Sequence, residues 1–283
     1  METERLLYEM LRDDAGKGDI TTRLVIERDV RVRAVVVARG SGVVAGLREA
    51  RAIFRRAGAK ARALVREGER VRVGCKIMEV TGSARAVFAA ERVALNLMMR
   101  MSGIATETAR LVRLARSGNP RVVVAATRKT APLLTRFDKR AVVIGGGSPH
   151  RRDLSERILI KRNHVKVVGS VEEAVRRAKR GGCVEVEVST PSEALRAARA
   201  GAEIVMLDNV RVSAVRRTIE LLKREGLRES VLIEVSGGIT PANIKAYAAA
   251  GPDVISTSYM TMRASPLDMA LEVVQAWRRT KSR

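Results

Sequence analysis

Cysteine is scarce: Cys75 and Cys183 are the only two in 283 residues, and they lie far apart. That excludes a disulfide framework and a cysteine-based zinc or redox motif, and it points to a reducing, cytoplasmic setting. Aromatic residues make up 2% of the chain, so few rings are available to stack on nucleic-acid bases. Only two histidines occur, His150 and His164, and no third ligand stands at a zinc spacing from them. No apolar run approaches the ~20 residues that a membrane span needs. The N-terminal METERLLYEM carries acids where a signal peptide would carry bases. Glutamine occurs once, as Gln275, and asparagine five times. Few thermolabile amides suit a thermophile, although the arginine content can equally follow genomic GC content.

Acidic residues are also short, at 31 against 54 lysines and arginines, for a net charge of +23. Such a charge fits a heat-adapted surface, anionic small substrates or nucleic acid. The bases are dispersed over amphipathic helical patterns such as RLVRLARSG and VRRTIELLKREG, which favours the first two; no nucleic acid and no membrane are expected as partners.

The first hundred residues read as a mixed α/β unit. A helix from Glu4 to Leu11 leads to the turn-rich DDAGKGDITT. VRVRAVVVARG alternates like a half-buried strand, LREARAIFRRAG is helical, and short strand-like pieces follow, punctuated by Gly68, Gly74 and Gly82. From Ala89 to Leu114, Val93, Leu97, Met101 and Ile104 recur at helical steps. Beyond Arg121 short apolar runs alternate with helical segments. The strand candidates are RVVVAATR, AVVIGGG, ILIKRNH, CVEVEVS, IVMLDN, VLIEVSGG and DVISTSY. The helix candidates between them, including PLLTRFDKR and TPANIKAYAAAG, open on proline, serine or threonine. Near-continuous apolar strands separated by helices predict a parallel sheet buried on both faces. Seven strands predict an incomplete TIM-like α/β barrel; an open doubly wound sheet is the alternative.

Almost every strand candidate ends in polar or glycine-rich residues: Thr127-Arg128-Lys129, Gly145-Gly146-Gly147, Lys161, Glu187, Asp208-Asn209, Ser236-Gly237-Gly238 and Ser256-Thr257-Ser258. In a parallel barrel these ends converge on one mouth, where active sites form. Early strands bring cations, Arg128, Lys129, Arg151 and Lys161, with both histidines nearby. Late strands bring the acids Glu187 and Asp208, then hydroxyls and glycines. Arginine forks suit carboxylate or phosphate. Ser236-Gly237-Gly238 ahead of a helix opened by Thr240-Pro241 suits a phosphate. The acids suit sugar hydroxyls or Mg²⁺. The spacing excludes a Walker loop, a dinucleotide fingerprint and a nucleophile elbow.

The ordered set DDAGKGDITT, ERVALNLMMRMSGIAT, TRKTAPLL, GGGSPHR, LIKRNH, VEVEV, AGAEIVMLDN, SGGITPANIKAYAAAG and DVIS resembles the quinolinate phosphoribosyltransferase family from about Asp13 to Leu271. The resemblance implies an N-terminal α/β sandwich over 1–108, joined by a C-terminal helix at 267–283, and a seven-stranded parallel α/β barrel over 109–266. It implies transfer of phosphoribosyl from phosphoribosyl pyrophosphate to quinolinate with decarboxylation, using Mg²⁺, in a homodimer or a hexamer built as a trimer of dimers. Arg92, Arg128, His150, Arg151 and Lys161 would bind the quinolinate carboxylates, with Arg92 reaching into a neighbouring subunit's site. Thr127 stands in the same motif as Arg128, and Lys129 and Lys161 would reach phosphates. Glu187 and Asp208 would hold ribose hydroxyls or the metal and, with Lys161, carry catalysis. Ser236, Gly237, Gly238, Thr257, Ser258 and Tyr259 would take the 5′-phosphate. Four positions depart from the family's commonest pattern: Ala126 for Asp, Pro149 for Asn, Arg162 for Asp and Ser258 for Gly. A paralogue associated with molybdate-transport operons shares some of these departures but typically lacks a lysine at the position of Lys161.

Overall fold

The computed structural model describes residues 2–278, and the chain divides into two compact units, Met1–Thr106 with Ala264–Arg283, and Glu107–Arg263. The first contains helices α1 (Glu2–Ala15) and α2 (Ile20–Val25), strands β1 (Val30–Ala38) and β2 (Gly42–Val43), and helix α3 (Leu47–Arg56). Strands β3 (Lys60–Ala63), β4 (Arg70–Val71) and β5 (Lys76–Ser83) follow, then the long helix α4 (Ala84–Arg116). The turn expected across DDAGKGDITT is narrower than that. The first helix runs on to Ala15, and the Asp19 carboxylate accepts from the Thr22 N–H, 2.9 Å away, to cap α2. A side-chain oxygen there satisfies one of the donors a helix start leaves free. Val93, Leu97, Met101 and Ile104 of α4 are all buried, as their spacing predicts. The boundary between the units falls within this helix.

In chain order the second unit carries β6 (Val123–Ala126), α5 (Thr135–Ile144), β7 (Ile158–Ile160), α6 (Arg162–Val168), α7 (Val171–Ala178) and β8 (Val184–Val188). Then come α8 (Pro191–Arg199), β9 (Ile204–Asp208), α9 (Val212–Arg224), β10 (Leu232–Ser236), α10 (Ile244–Ala248), β11 (Val254–Thr257) and α11 (Tyr259–Met262). The chain returns to the first unit as β12 (Met269–Arg278).

That last strand corrects the expected C-terminal helix. Met269–Arg278 pairs antiparallel with β1 along its whole length, in a four-stranded sheet of order β12-β1-β5-β3. Without it, one edge of β1 would present a row of unpaired backbone groups. Val273, Val274 and Trp277 suit a pleated surface, and they remain exposed. Residues 279–283 of the expected helix lie outside the described residues.

The second unit is a parallel sheet of order β6-β11-β10-β9-β8-β7. The expected strand AVVIGGG is instead the end of α5, because Asp138, Ala141 and Val142 bury one helical face. A four-residue apolar run fits a buried helix as well as a strand. The seventh strand position shrinks to one parallel bridge, Ser148 to Ala125, on the far side of β6. The phosphate-loop expectation also changes. Thr240-Pro241 begins a helical turn, with the Thr240 carbonyl accepting from the Ile244 N–H at 3.0 Å, but α10 itself runs only over Ile244–Ala248, and the Asn243 side chain occupies the Thr240 N–H at 2.8 Å.

Candidate active site

Strand periodicity builds the site. Side chains two apart point to the same face of a strand, so Leu159, Glu185 and Glu187, Met206 and Asp208, and Glu234 and Ser236 share the inward faces of β7 to β10, with Lys161 one residue past the end of β7. Register sets their levels: Leu159 lies beside Glu185, Glu187 beside Met206, Met206 beside Glu234, and Asp208 beside Ser236. These side chains line a cavity of about 280 Å³ together with Thr127, Arg128, Lys129, His150, Arg151 and Ser256; Glu185 alone lies outside its lining. A neighbouring cavity of about 880 Å³ shares Arg128, Arg151, Leu159 and Lys161 and adds Glu185, Arg157 and His164.

Thus Thr127, Arg128, Lys129, His150, Arg151, Lys161, Glu187, Asp208 and Ser236 meet around one space, as the barrel argument requires. Gly237, Gly238, Thr257, Ser258 and Tyr259 do not line it; the glycines form the turn directly after β10, Thr257 ends β11, Ser258 caps α11 and Tyr259 begins it. Gly237 and Gly238 both adopt positive φ, 88° and 63°, and a Cβ on Gly237 would run into the Asn209 side chain. The Thr257 hydroxyl donates to the Ile239 carbonyl at 2.9 Å and accepts from the Tyr259 N–H at 3.0 Å. Two residues expected to meet a phosphate therefore already tie these turns together. Arg92 lies in the other unit, on α4, exposed and 3.7 Å from Glu91.

The charges at the mouth are unevenly matched. Lys161 Nζ stands 3.2 Å from Glu187, and Arg162 lies 3.5 Å from Asp208 and 4.0 Å from Glu187. One of the departures from the family pattern thus contacts both acids. Asn209 adds a 2.7 Å hydrogen bond to Asp208. Among the described residues Arg128 and Arg151 have no carboxylate partner of this kind. Burial, and then the charge of Arg128, holds Arg151 below the ordinary arginine range. Two neighbouring guanidiniums facing a cavity make a strong attraction for an anion.

Sequence spacing singles out neither Lys139 nor the pair Glu185 and Glu234. Lys139 is fully buried and donates to the Ala126 and Pro149 carbonyls, each at 2.6 Å. It reads main-chain atoms, which any residue supplies, so the departures at 126 and 149 leave this tie intact. Glu185 and Glu234 lie beneath His150, whose Nε2 is 3.3 Å from a carboxylate oxygen of each. Burial lowers the His150 pKa, but the two acids outweigh it and push it up to about 9. Burial, and then the charge of Glu234, raises the carboxyl of Glu185. Period two in VEVEV and IEVS was the available signal, because it places these acids directly below Glu187 and Ser236.

Cations, two mouth carboxylates and glycine turns at one end of a parallel barrel define an α/β-barrel enzyme for an anionic, hydroxyl-bearing substrate. Sequence comparison narrows that class. Residues 19–102 match the N-terminal domain and residues 104–272 the C-terminal domain of quinolinate phosphoribosyl transferase, and the chain belongs to that family. It is 44% identical over 272 residues to a probable carboxylating nicotinate-nucleotide pyrophosphorylase of Methanothermobacter thermautotrophicus, covering 95% of this chain and 98% of the relative. To the human carboxylating nicotinate-nucleotide pyrophosphorylase it is 38% identical, covering 85% of this chain and 82% of that protein. The solved structure of NadC from Streptococcus pyogenes superposes with a TM-score of 0.90 at 32% identity, covering 99% of this chain and 98% of that one.

Proposed function

We infer that the chain is a carboxylating nicotinate-nucleotide pyrophosphorylase, joining quinolinate to the ribose of phosphoribosyl pyrophosphate. The observation that carries this reading is the cavity in which Arg128, Lys129, Arg151 and Lys161 face Glu187 and Asp208. The guanidiniums of Arg128 and Arg151, with Lys161, hold the two pyridine carboxylates and aim the ring nitrogen at the sugar. As the nitrogen bonds to the anomeric carbon, the bond to pyrophosphate breaks and positive charge develops on the ribose. Glu187 and Asp208 stabilise that charge. The 2-carboxylate then leaves as carbon dioxide, its electron pair remaining on a ring carbon beside the cationic nitrogen, and that carbon takes up a proton. Lys129 attracts phosphate, and Ser236 with the glycine turn after it takes the 5′-phosphate.

Glu187 and Asp208 fit Mg²⁺ by donor type, as carboxylates from adjacent strands facing one cavity. The ion, when bound, neutralises the departing pyrophosphate. Arg162 and Lys161 compete for the same oxygens and must yield when it arrives. The working form is a homodimer, alone or as a trimer of dimers, in which the exposed Arg92 enters a neighbouring subunit's site. Among the described residues no helix is long and apolar enough to cross a membrane, and a cytoplasmic location accords with the free thiols. The reading is tested by product analysis with phosphoribosyl pyrophosphate, Mg²⁺ and either quinolinate or nicotinate. Quinolinate should be converted to nicotinate mononucleotide with release of carbon dioxide. Nicotinate should be used far less, because dropping one carboxylate leaves a buried cation unpaired. Comparable turnover of the two acids would overturn the assignment.

A further inference from the structure

Glu185 and Glu234 stand two residues before Glu187 and Ser236 on their strands, and the chemistry above does not use them. Each is 1% exposed, and among the described residues both Glu185 carboxylate oxygens and Oε1 of Glu234 have no hydrogen-bond partner. Carboxylates so deeply buried stay only where something opposes their charge. The nearest such group is His150, with Nε2 3.3 Å from Oε2 of each acid.

Two arrangements fit a histidine between two buried acids. The ligand atoms of all three lie within 4.8 Å of one another, close enough to share a divalent cation. The hydrogen bonding of the ring argues otherwise. Its Nδ1 accepts from the Arg151 N–H at 2.8 Å, so Nδ1 holds a lone pair and the ring proton sits on Nε2, aimed at the acids. A metal ligand would need its lone pair there instead. Below its raised pKa the ring also takes a proton on Nδ1, which gives up the Arg151 N–H bond, but Nε2 keeps the first proton, so the inward donor is present in either charge state.

The ring is in turn the pivot of a strained turn. His150 has φ 52°, a left-handed conformation that a non-glycine residue keeps only when its surroundings hold it. On one side Lys139 fastens the Pro149 carbonyl; on the other comes Arg151, buried, with Nη1 donating to the Arg157 carbonyl at 3.1 Å. We propose that Glu185 and Glu234 are positioning residues: they hold the His150 Nε2–H inward, and through that ring they fix the turn that presents Arg151 to the substrate. Their effect on catalysis rests on the function proposed above; their effect on the histidine does not.

With two histidines in the chain, ¹⁵N-imidazole NMR of the full-length protein resolves the question, using His150→Gln for assignment. In the wild type, His150 should carry a slowly exchanging proton on Nε2. Glu185→Gln and Glu234→Gln, which each keep an acceptor oxygen, should retain that proton. The double variant Glu185→Met, Glu234→Met should lose its protection, and the KM for quinolinate should rise roughly tenfold or more, with a smaller change in kcat. A wild-type His150 protonated on Nδ1 alone overturns the proposal, even if the double variant fails to fold. So does stoichiometric binding of Zn²⁺, added alone, with loss of the Nε2 proton, which would make the cluster a metal site. Unchanged NMR and unchanged KM in a folded double variant overturn it too. A wild type with the expected ring but no turnover of quinolinate overturns the proposed function and leaves the positioning role standing.

Discussion

Lys139 is the residue on which the mouth is hung. Its ammonium is fully buried, yet it bonds two carbonyls, one at the end of β6 and one in the turn before His150. Burial pushes its pKa down to about 8; Glu156 opposes the shift, and Arg128 and Arg151 add to it. A folded pKa below the unfolded value of about 10.4 means that the folded protein binds fewer protons between the two. Stability should therefore rise with pH from about 8 and level off once the unfolded lysine has also lost its proton. Lys139→Met should abolish that rise and strand two carbonyls, for a loss of about 2 kcal/mol at neutral pH. Thermal melts across pH 7 to 11 (roughly the span of those two pKa values) would check it, and a melting profile unchanged by the substitution would count against the role. The family resemblance reached Arg128, Arg151 and Lys161, whose chemistry can be recognised from residue type. Lys139 stayed hidden because a lysine in FDKRAV looks like any lysine on a solvated helix face. Only packing shows that no water reaches it.

At the level of elements, local preference and tertiary context disagree in two instructive places. AVVI satisfies strand and helix alike, and α5 took it because its neighbours Asp138 and Lys139 are buried on the same turns. Gly103 lies in the interior of α4, where glycine is a poor helix former by about 1 kcal/mol relative to alanine. A Cβ there would collide with the carbonyl of Ser265 and press on Pro266, so the segment leading into β12 needs that bare backbone. Gly103→Ala should therefore destabilise the protein by about 3 kcal/mol, despite its better helix propensity. Urea denaturation would detect this as a lower midpoint with an unchanged slope; a raised midpoint would show that the clash is relieved at little cost.

For the whole molecule, surface pairs at helical spacing, such as Arg177 and Arg176 with Glu173, and Arg5 with Glu9, take up part of the basic side chains, and the net charge of +23 is the excess beyond such pairing. Single exposed pairs of this kind stabilise little at room temperature. The functional part of the charge is the small excess at the cavity. Arg92 offers the test of assembly, since its guanidinium is exposed and its nearest acid is a sequence neighbour at 3.7 Å. Mixing Arg92→Ala with Glu187→Gln, each inactive alone, should restore activity after subunit exchange. A heterodimer with a shared site contains one site with both lesions and one with neither, so recovery should approach about a quarter of the sites for a two-fold dimer. No recovery after verified exchange would place Arg92 in its own subunit's chemistry or in none.

The sequence alone determined the barrel rhythm and the rim: alternation of apolar strands with capped helices is local, and in a parallel barrel every strand's end must face the same mouth. That logic brings Arg128, Lys161, Glu187 and Asp208 to one mouth, and all four line one cavity. The tertiary structure alone decided that 269–278 is a strand, since MALEVVQAWR is rich in helix formers and only the ladder that β1 offers overrides that local preference. It also decided the partnership of His150 with Glu185 and Glu234. Those residues are far apart in the chain, and no spacing rule relates them. Only the stagger of β8 and β10 about the barrel axis brings both carboxylates to one imidazole nitrogen.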